Sequence, residues 1–111
     1  MGDKAVINII ATKCQPDVEA KFNKWYNEVH IPMLFKFKGM KKVSRYQLTS
    51  NTDKYPRYLA VYEFRDKEAF EEYEKSPEVD AAKKEMKETW KDGGWEIVWR
   101  VKYEVMKTWE R

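Results

Sequence analysis

One histidine, His30, stands in the stretch FNKWYNEVHIPMLFKFKGM, residues 22–40. A lone imidazole can remove a proton next to a carbonyl and return it elsewhere, because its ordinary ionisation lies near neutrality. The competing reading is a ring that hydrogen-bonds the last carbonyls of its own helix. Tyr46 is a second candidate, donating a hydrogen bond to a carbonyl or phenolate oxygen. Its alternative is a core aromatic on a half-buried strand. Asn8 is a polar residue inside an apolar run and needs a partner, which is a ligand, an internal group or a dimer contact. Tyr26, Trp90 and Trp99 have the flat apolar surface that lines a pocket for an aromatic substrate, although most tryptophans at such spacing are core.

Other chemistries find less support. Cys14 is the only cysteine. That count excludes an internal disulfide framework and a multi-cysteine metal site, and the thiol reads as unreactive in a reducing cytosol. With a single histidine and no Cys–His pairing, no metal is expected. Lys and Arg (22) are interleaved with Asp and Glu (19) for a net charge of +3, a solvated surface rather than a nucleic-acid stripe. No apolar run reaches the ~20 residues that span a membrane. The opening MGDKAV has neither a signal-peptide apolar region nor a Ser or Thr at Val6 for myristoylation, so a cytoplasmic location is expected.

The elements that must position these residues follow from periodicity. The 111 residues form one domain, 1–111, large enough for a single core. AVINIIAT (5–12) reads as a first strand. Pro16 and Asp17 open a helix, with Gln15 a poor cap, and Phe22, Trp25, Tyr26 and Val29 form its apolar stripe. His30 falls at the edge of that stripe, at the boundary of a cleft. Pro32 disfavours helical geometry at Ile31, so the helix is expected to break or end beside His30. There the helix end favours the imidazolium and burial favours the neutral ring.

Residues 41–49 and 57–65 alternate with period two around the turn SNTDKYP and read as a hairpin. A symmetric turn near Lys54 sets Arg45 opposite Glu63 as a cross-strand ion pair. Tyr46, Leu48, Ala60, Tyr62 and Phe64 are expected on the side facing the helices, with Arg45, Gln47, Val61 and Glu63 on the other. A second helix starts near Asp66, restarts at Ser76–Pro77, and stops at Asp92–Gly94. Its Lys/Glu series from Lys83 to Lys91 reads as a solvated face. The last strand alternates Ile97, Trp99, Val101, Tyr103 and Val105 on one side. The order β-α-β-β-α-β is the α+β ferredoxin-like pattern, an antiparallel four-stranded sheet with two helices on one face.

Two kinds of protein share that order. An RNA-recognition module stacks bases on third-strand aromatics. In RYLAVYEF (57–64) Leu59 and Val61 stand where those aromatics belong, which weakens that reading. Phe22, Trp25–Tyr26, His30, Pro32, Gly39 and Tyr46 together resemble the pattern of the EthD-like family of dimeric α/β-barrel proteins. AFEEYEKSPEVDAAKKEM (69–86) resembles the second helix of the related antibiotic-biosynthesis monooxygenases and haem-degrading enzymes. The resemblance implies two protomers packed sheet against sheet as a homodimeric barrel, each with a small cleft between sheet and helices. It also implies cofactor-independent chemistry on a small aromatic or polyketide-like carbonyl compound, of cyclase, dehydratase or isomerase type. His30 would be the acid/base group, and Tyr46 would polarise oxygen. A cofactor-independent monooxygenase, or a ligand-binding or structural barrel without turnover, are the alternatives. Haem-degrading relatives carry an iron-ligating histidine about where Lys83 stands, and a protonated lysine is a poor ligand, so no haem is expected.

Overall fold

The computed structural model describes residues 4–111. The expectation drawn from MGDKAV therefore rests partly on positions outside the described residues. Four strands, β1 (Val6–Cys14), β2 (Met40–Gln47), β3 (Tyr58–Phe64) and β4 (Trp95–Glu104), form an antiparallel sheet in the order β2-β3-β1-β4. The helical segments α1 (Glu19–Trp25), α2 (Ile31–Leu34), α3 (Lys67–Glu74) and α4 (Pro77–Thr89) cover one of its faces. This is the ferredoxin-like fold, and among the described residues no helix is long and apolar enough to cross a membrane.

Local chemistry explains most boundaries. Gln15 makes no side-chain cap, and the chain enters α1 through one 3₁₀ turn, Pro16–Val18. Asp66 caps α3 by accepting from the Ala69 N–H at 2.8 Å, and Ser76 caps α4 by accepting from the Val79 N–H at 3.2 Å, each satisfying a donor that the first turn leaves free. Gly94 has φ +116°, where a side chain is strained, and its carbonyl accepts from the Gln15 N–H at 2.8 Å. Gly39 is required by space. A Cβ there would lie 2.6 Å from the Phe37 ring and 3.0 Å from the Ala69 Cβ.

The expected helix end beside His30 does not occur. The chain passes from α1 into one π-helical turn, Tyr26–His30, and continues directly as α2. The Ile31 N–H donates to the Tyr26 carbonyl five residues back, and Ile31 keeps helical angles although Pro32 follows it. Widening the turn by one residue accommodates the ring and the missing N–H of the proline without ending the helix. It also sets His30 against Tyr26 (ring centroids 5.1 Å) and stacks it on Trp25 (4.7 Å).

The hairpin register also departs from expectation. Arg45 lies opposite Ala60, and Glu63 lies opposite Lys42, so the turn centres before Lys54. The offset is odd, which exchanges the two faces of β2. Tyr58, Ala60, Tyr62 and Phe64 do face the helices, and all are buried. Arg45 and Gln47 stand beside them, however, while Tyr46 points to the open face at 55% exposure. The Arg45–Glu63 ion pair is replaced by Lys41–Glu63 at 3.4 Å. A register shift in β4 beside Ala11 and Thr12 breaks the expected run there too. Ile97 joins the helix side, opposite Thr12, whereas Trp99, Val101 and Tyr103 remain on the open face.

The core is aromatic. Phe22, fully buried, contacts Trp25, Tyr26, Tyr58, Trp90 and Trp95 at centroid distances of 5.2–6.3 Å. A second group joins Phe37, Phe64, Phe70 and Tyr73. Between the two groups the packing opens into a cavity.

Candidate functional site

The cavity has a volume of about 320 Å³ and lies between the helix-facing side of β1 and β4 and the helices. Asn8 comes from β1, Tyr26 and His30 from the π turn, Tyr73 from α3, Lys83 from α4, and Arg100 from β4. Alternation along the strands aims Asn8 and Arg100 towards the helices, and the widened turn brings Tyr26 and His30 to the same cavity. Ile10, Leu34, Phe70 and Met86 supply apolar surface. This is the size and mixture of a small-molecule site.

His30 is one of the polar residues of that lining. Burial pushes its ionisation down from 6.5 to about 4, against the opposing pull of the Glu85 carboxylate. The imidazole is therefore neutral at physiological pH, and burial decides the competition because no helix end stands beside it. Its Nδ1 is buried without a hydrogen-bond partner among the described residues. Behind it, the Trp25 Nε1–H donates to both Glu85 oxygens at 2.9 and 3.2 Å, and Thr89 donates to the same carboxylate. That chain fixes the indole on which the imidazole stacks. Glu85 thus belongs to the support of the site rather than to a purely solvated helix face.

Two phenols meet the cavity. The Tyr26 hydroxyl is 3.1 Å from the buried Tyr62 hydroxyl, and burial raises the ionisation of both above the usual phenol range. Burial does the same for Tyr73, against the lowering field of Arg100. Both cavity phenols are therefore protonated donors.

The candidate residues divide. His30, Tyr26 and Asn8 line one cavity. Asn8 is 8% exposed on the helix side, so it is not at a sheet-to-sheet contact. Tyr46 and Trp99 lie on the opposite face of the sheet, 55% and 43% exposed, and do not reach the cavity of their own protomer. Trp90 is a core residue packed on Phe22 and Trp25, with the Lys21 ammonium 4.4 Å from its ring centre. Cys14 is half-buried, and burial, then the nearby Glu19 charge, raise its thiol ionisation, in keeping with an unreactive role. Tyr73, Lys83 and Arg100 are the functional candidates that sequence reasoning did not assign to a site. Tyr73 carried a signal in its place on the apolar stripe of its helix, whereas Arg100 carried none.

Arg45 forms a separate inward feature. Its guanidinium lies 4.5 Å from the Tyr26 ring centre and 5.2 Å from that of Tyr58, and it donates to the Asn27 Oδ1 at 3.0 Å. It braces the far side of Tyr26 by cation–π contact. Among the described residues no group of three or more His, Cys, Asp or Glu side chains is placed to hold a metal ion.

The sequence matches the family model of DUF4286, a domain of unknown function, over residues 5–96. The chain belongs to that family. No curated protein sequence matches it significantly. Among solved structures it is similar to HapK from Hahella chejuensis, with a TM-score of 0.73 at 11% identity, covering 96% of this chain and 97% of that one. It is also similar to an ethyl tert-butyl ether D (EthD) family protein from Bacillus halodurans, TM-score 0.67 at 14% identity over 93% and 99% of the chains. SnoaB from Streptomyces nogalater, a cofactor-independent oxygenase, gives 0.61 at 13% identity over 97% of both. At these identities the likeness establishes the fold. The EthD resemblance in the sequence is thus supported as a shared architecture, with DUF4286 as the family.

Proposed function

We propose that this DUF4286 protein catalyses cofactor-independent proton transfer on a small aromatic or polyketide-like carbonyl compound bound in the His30 cavity. The observation that carries the reading is the neutral, half-buried imidazole that lines a 320 Å³ cavity. In this reading His30 accepts a proton from a carbon beside the substrate carbonyl. Tyr26 or Tyr73 donates a hydrogen bond to the oxygen on which charge develops, the role first assigned to Tyr46. A base whose conjugate acid ionises near 4 favours an acidified C–H, such as one between a carbonyl and an aryl ring. Cyclisation, dehydration and isomerisation all begin with that step. The neighbour described as a cofactor-independent oxygenase supports chemistry without a cofactor in such a cavity, by analogy of fold.

The same reading includes a homodimer formed through the open sheet face. Ile9, Val61 and Val101 lie side by side across three strands there, flanked by the exposed Trp99 and Tyr103. Leaving that surface in water is costly, and a second copy covers it. Light scattering should give twice the 13.4 kDa chain mass, and Val101→Glu should give the monomer.

Native mass spectrometry of the purified protein, followed by turnover of any retained carbonyl ligand, tests the catalytic reading. His30→Gln should bind that ligand yet turn it over roughly 10²–10⁴-fold more slowly, as expected for the loss of a positioned proton-transfer group. A variant that is destabilised but fully active would assign His30 a structural role instead.

A further inference from the structure

Three cations surround the His30 cavity, Lys83 from α4 and Arg100 and Lys102 from β4, against one carboxylate, Glu74. None of the four forms an ion pair with another described residue. The Lys102 ammonium rests 4.8 Å from the Phe70 ring centre. Arg100 is near enough to the cavity phenols to lower the ionisation of both Tyr26 and Tyr73. Four basic side chains elsewhere do pair with carboxylates, among them Lys13–Glu96 at 3.1 Å and Lys41–Glu63 at 3.4 Å. With His30 neutral, the cavity lining carries an uncompensated positive charge beside apolar walls. The three cations are exposed at its rim, and cations gathered on one side of a cleft attract an anion to it, most strongly at low salt.

We propose that the cavity binds an anionic aromatic ligand, an arylcarboxylate or the enolate-type equivalent. Its negative group is held by Arg100, with Lys83 and Lys102 flanking, and its ring packs among Ile10, Leu34 and Phe70 towards His30. The proposal rests on the reading of this cavity as the ligand site and adds the charge of the ligand. Arg100 is the natural anchor, because the planar guanidinium takes a carboxylate through two parallel hydrogen bonds. The neutral imidazole lies deeper, so it meets the uncharged end of the ligand, where proton transfer to it is possible.

Isothermal titration of the dimer or monomer as purified, at low salt, with three probes of one shape tests this: 2-naphthoate, 2-naphthylmethanol and 2-naphthyl-trimethylammonium. Naphthoate should bind about tenfold or more tightly than the alcohol, the size of one charge-assisted hydrogen bond, and the cation should bind least. Arg100→Gln should abolish most of that preference, and Arg100→Lys should restore part of it. Lys54→Gln, which removes the same charge in the hairpin turn, should leave the ratio unchanged. His30→Gln should also keep the preference, since it alters the reacting end. Equal binding of naphthoate and the alcohol, or a ratio unmoved by Arg100→Gln, overturns the anion proposal while leaving the cavity a ligand site. Failure of all three probes to bind overturns the cavity reading and this proposal together.

Discussion

The single imidazole gives the account an unusually clean test, because the chain has no other histidine to confuse its resonances. In the folded protein its ionisation is pushed down by burial to about 4, from 6.5. A tenfold change in proton affinity is worth about 1.4 kcal/mol, so folding favours the neutral ring over the imidazolium by about 3 kcal/mol. The sign follows by linkage. The unfolded chain takes up the proton first as pH falls, so the folded state is fully favoured above pH 6.5 and loses this stability progressively down to about pH 4. Between pH 7 and 4.5 the loss is about 2.5 kcal/mol, or roughly 10 °C in melting temperature for a domain of this size. Carboxylates begin to titrate in the same window, so the informative quantity is the difference between the protein and His30→Gln, which share every other group. The wild type should lose that much more stability than the variant over the interval. Proton NMR of the ring should place the midpoint near 4. A midpoint at or above 6.5, or parallel stability curves for the two proteins, would refute the claim that the imidazole is buried and neutral.

Replacing Glu85 with Gln keeps an acceptor for Trp25 but removes the charge that raises the His30 ionisation, so the NMR midpoint should fall further; a rise would contradict the assigned electrostatics. Phe22→Ala, at the fully buried centre of the aromatic core, should cost about 3–5 kcal/mol in denaturant titration. A loss under about 1 kcal/mol would mean that Phe22 does not hold the core together.

The architecture was legible in the sequence because its signals were redundant. Ser76–Pro77 announced a helix start in cap chemistry that the structure shows, and the start expected near Asp66 has Asp66 itself as its cap. Two readings failed for identifiable reasons. Pro32 signalled a helix end under local rules, but a π turn is a second way to absorb a proline, and tertiary packing of Trp25, Tyr26 and His30 selects it. The facing of Tyr46 depended on a hairpin register that seven turn residues left open by an odd number, so Arg45 took the inward place. For the site, Tyr26, His30 and Asn8 were within reach of sequence reasoning because their residue types stood out against their surroundings. Arg100 did not stand out. Alternation with Trp99 and Val101 sets it on the helix side, but a basic residue at such a position carries no local sign of a ligand.

Hydrogen–deuterium exchange at an activated carbon tests the proposed proton transfer most directly. With 2-tetralone in deuterated buffer, after saturation-transfer NMR has shown it to contact the protein, the wild type should accelerate exchange of the proton between ketone and ring. The rate should be flat from pH 8 to 6 and fall as pH approaches 4, where His30 becomes protonated. His30→Gln should lose that acceleration by roughly 10²-fold or more, and Tyr46→Phe should retain it. Equal exchange by the wild type and His30→Gln, at matched ligand occupancy, would contradict the account.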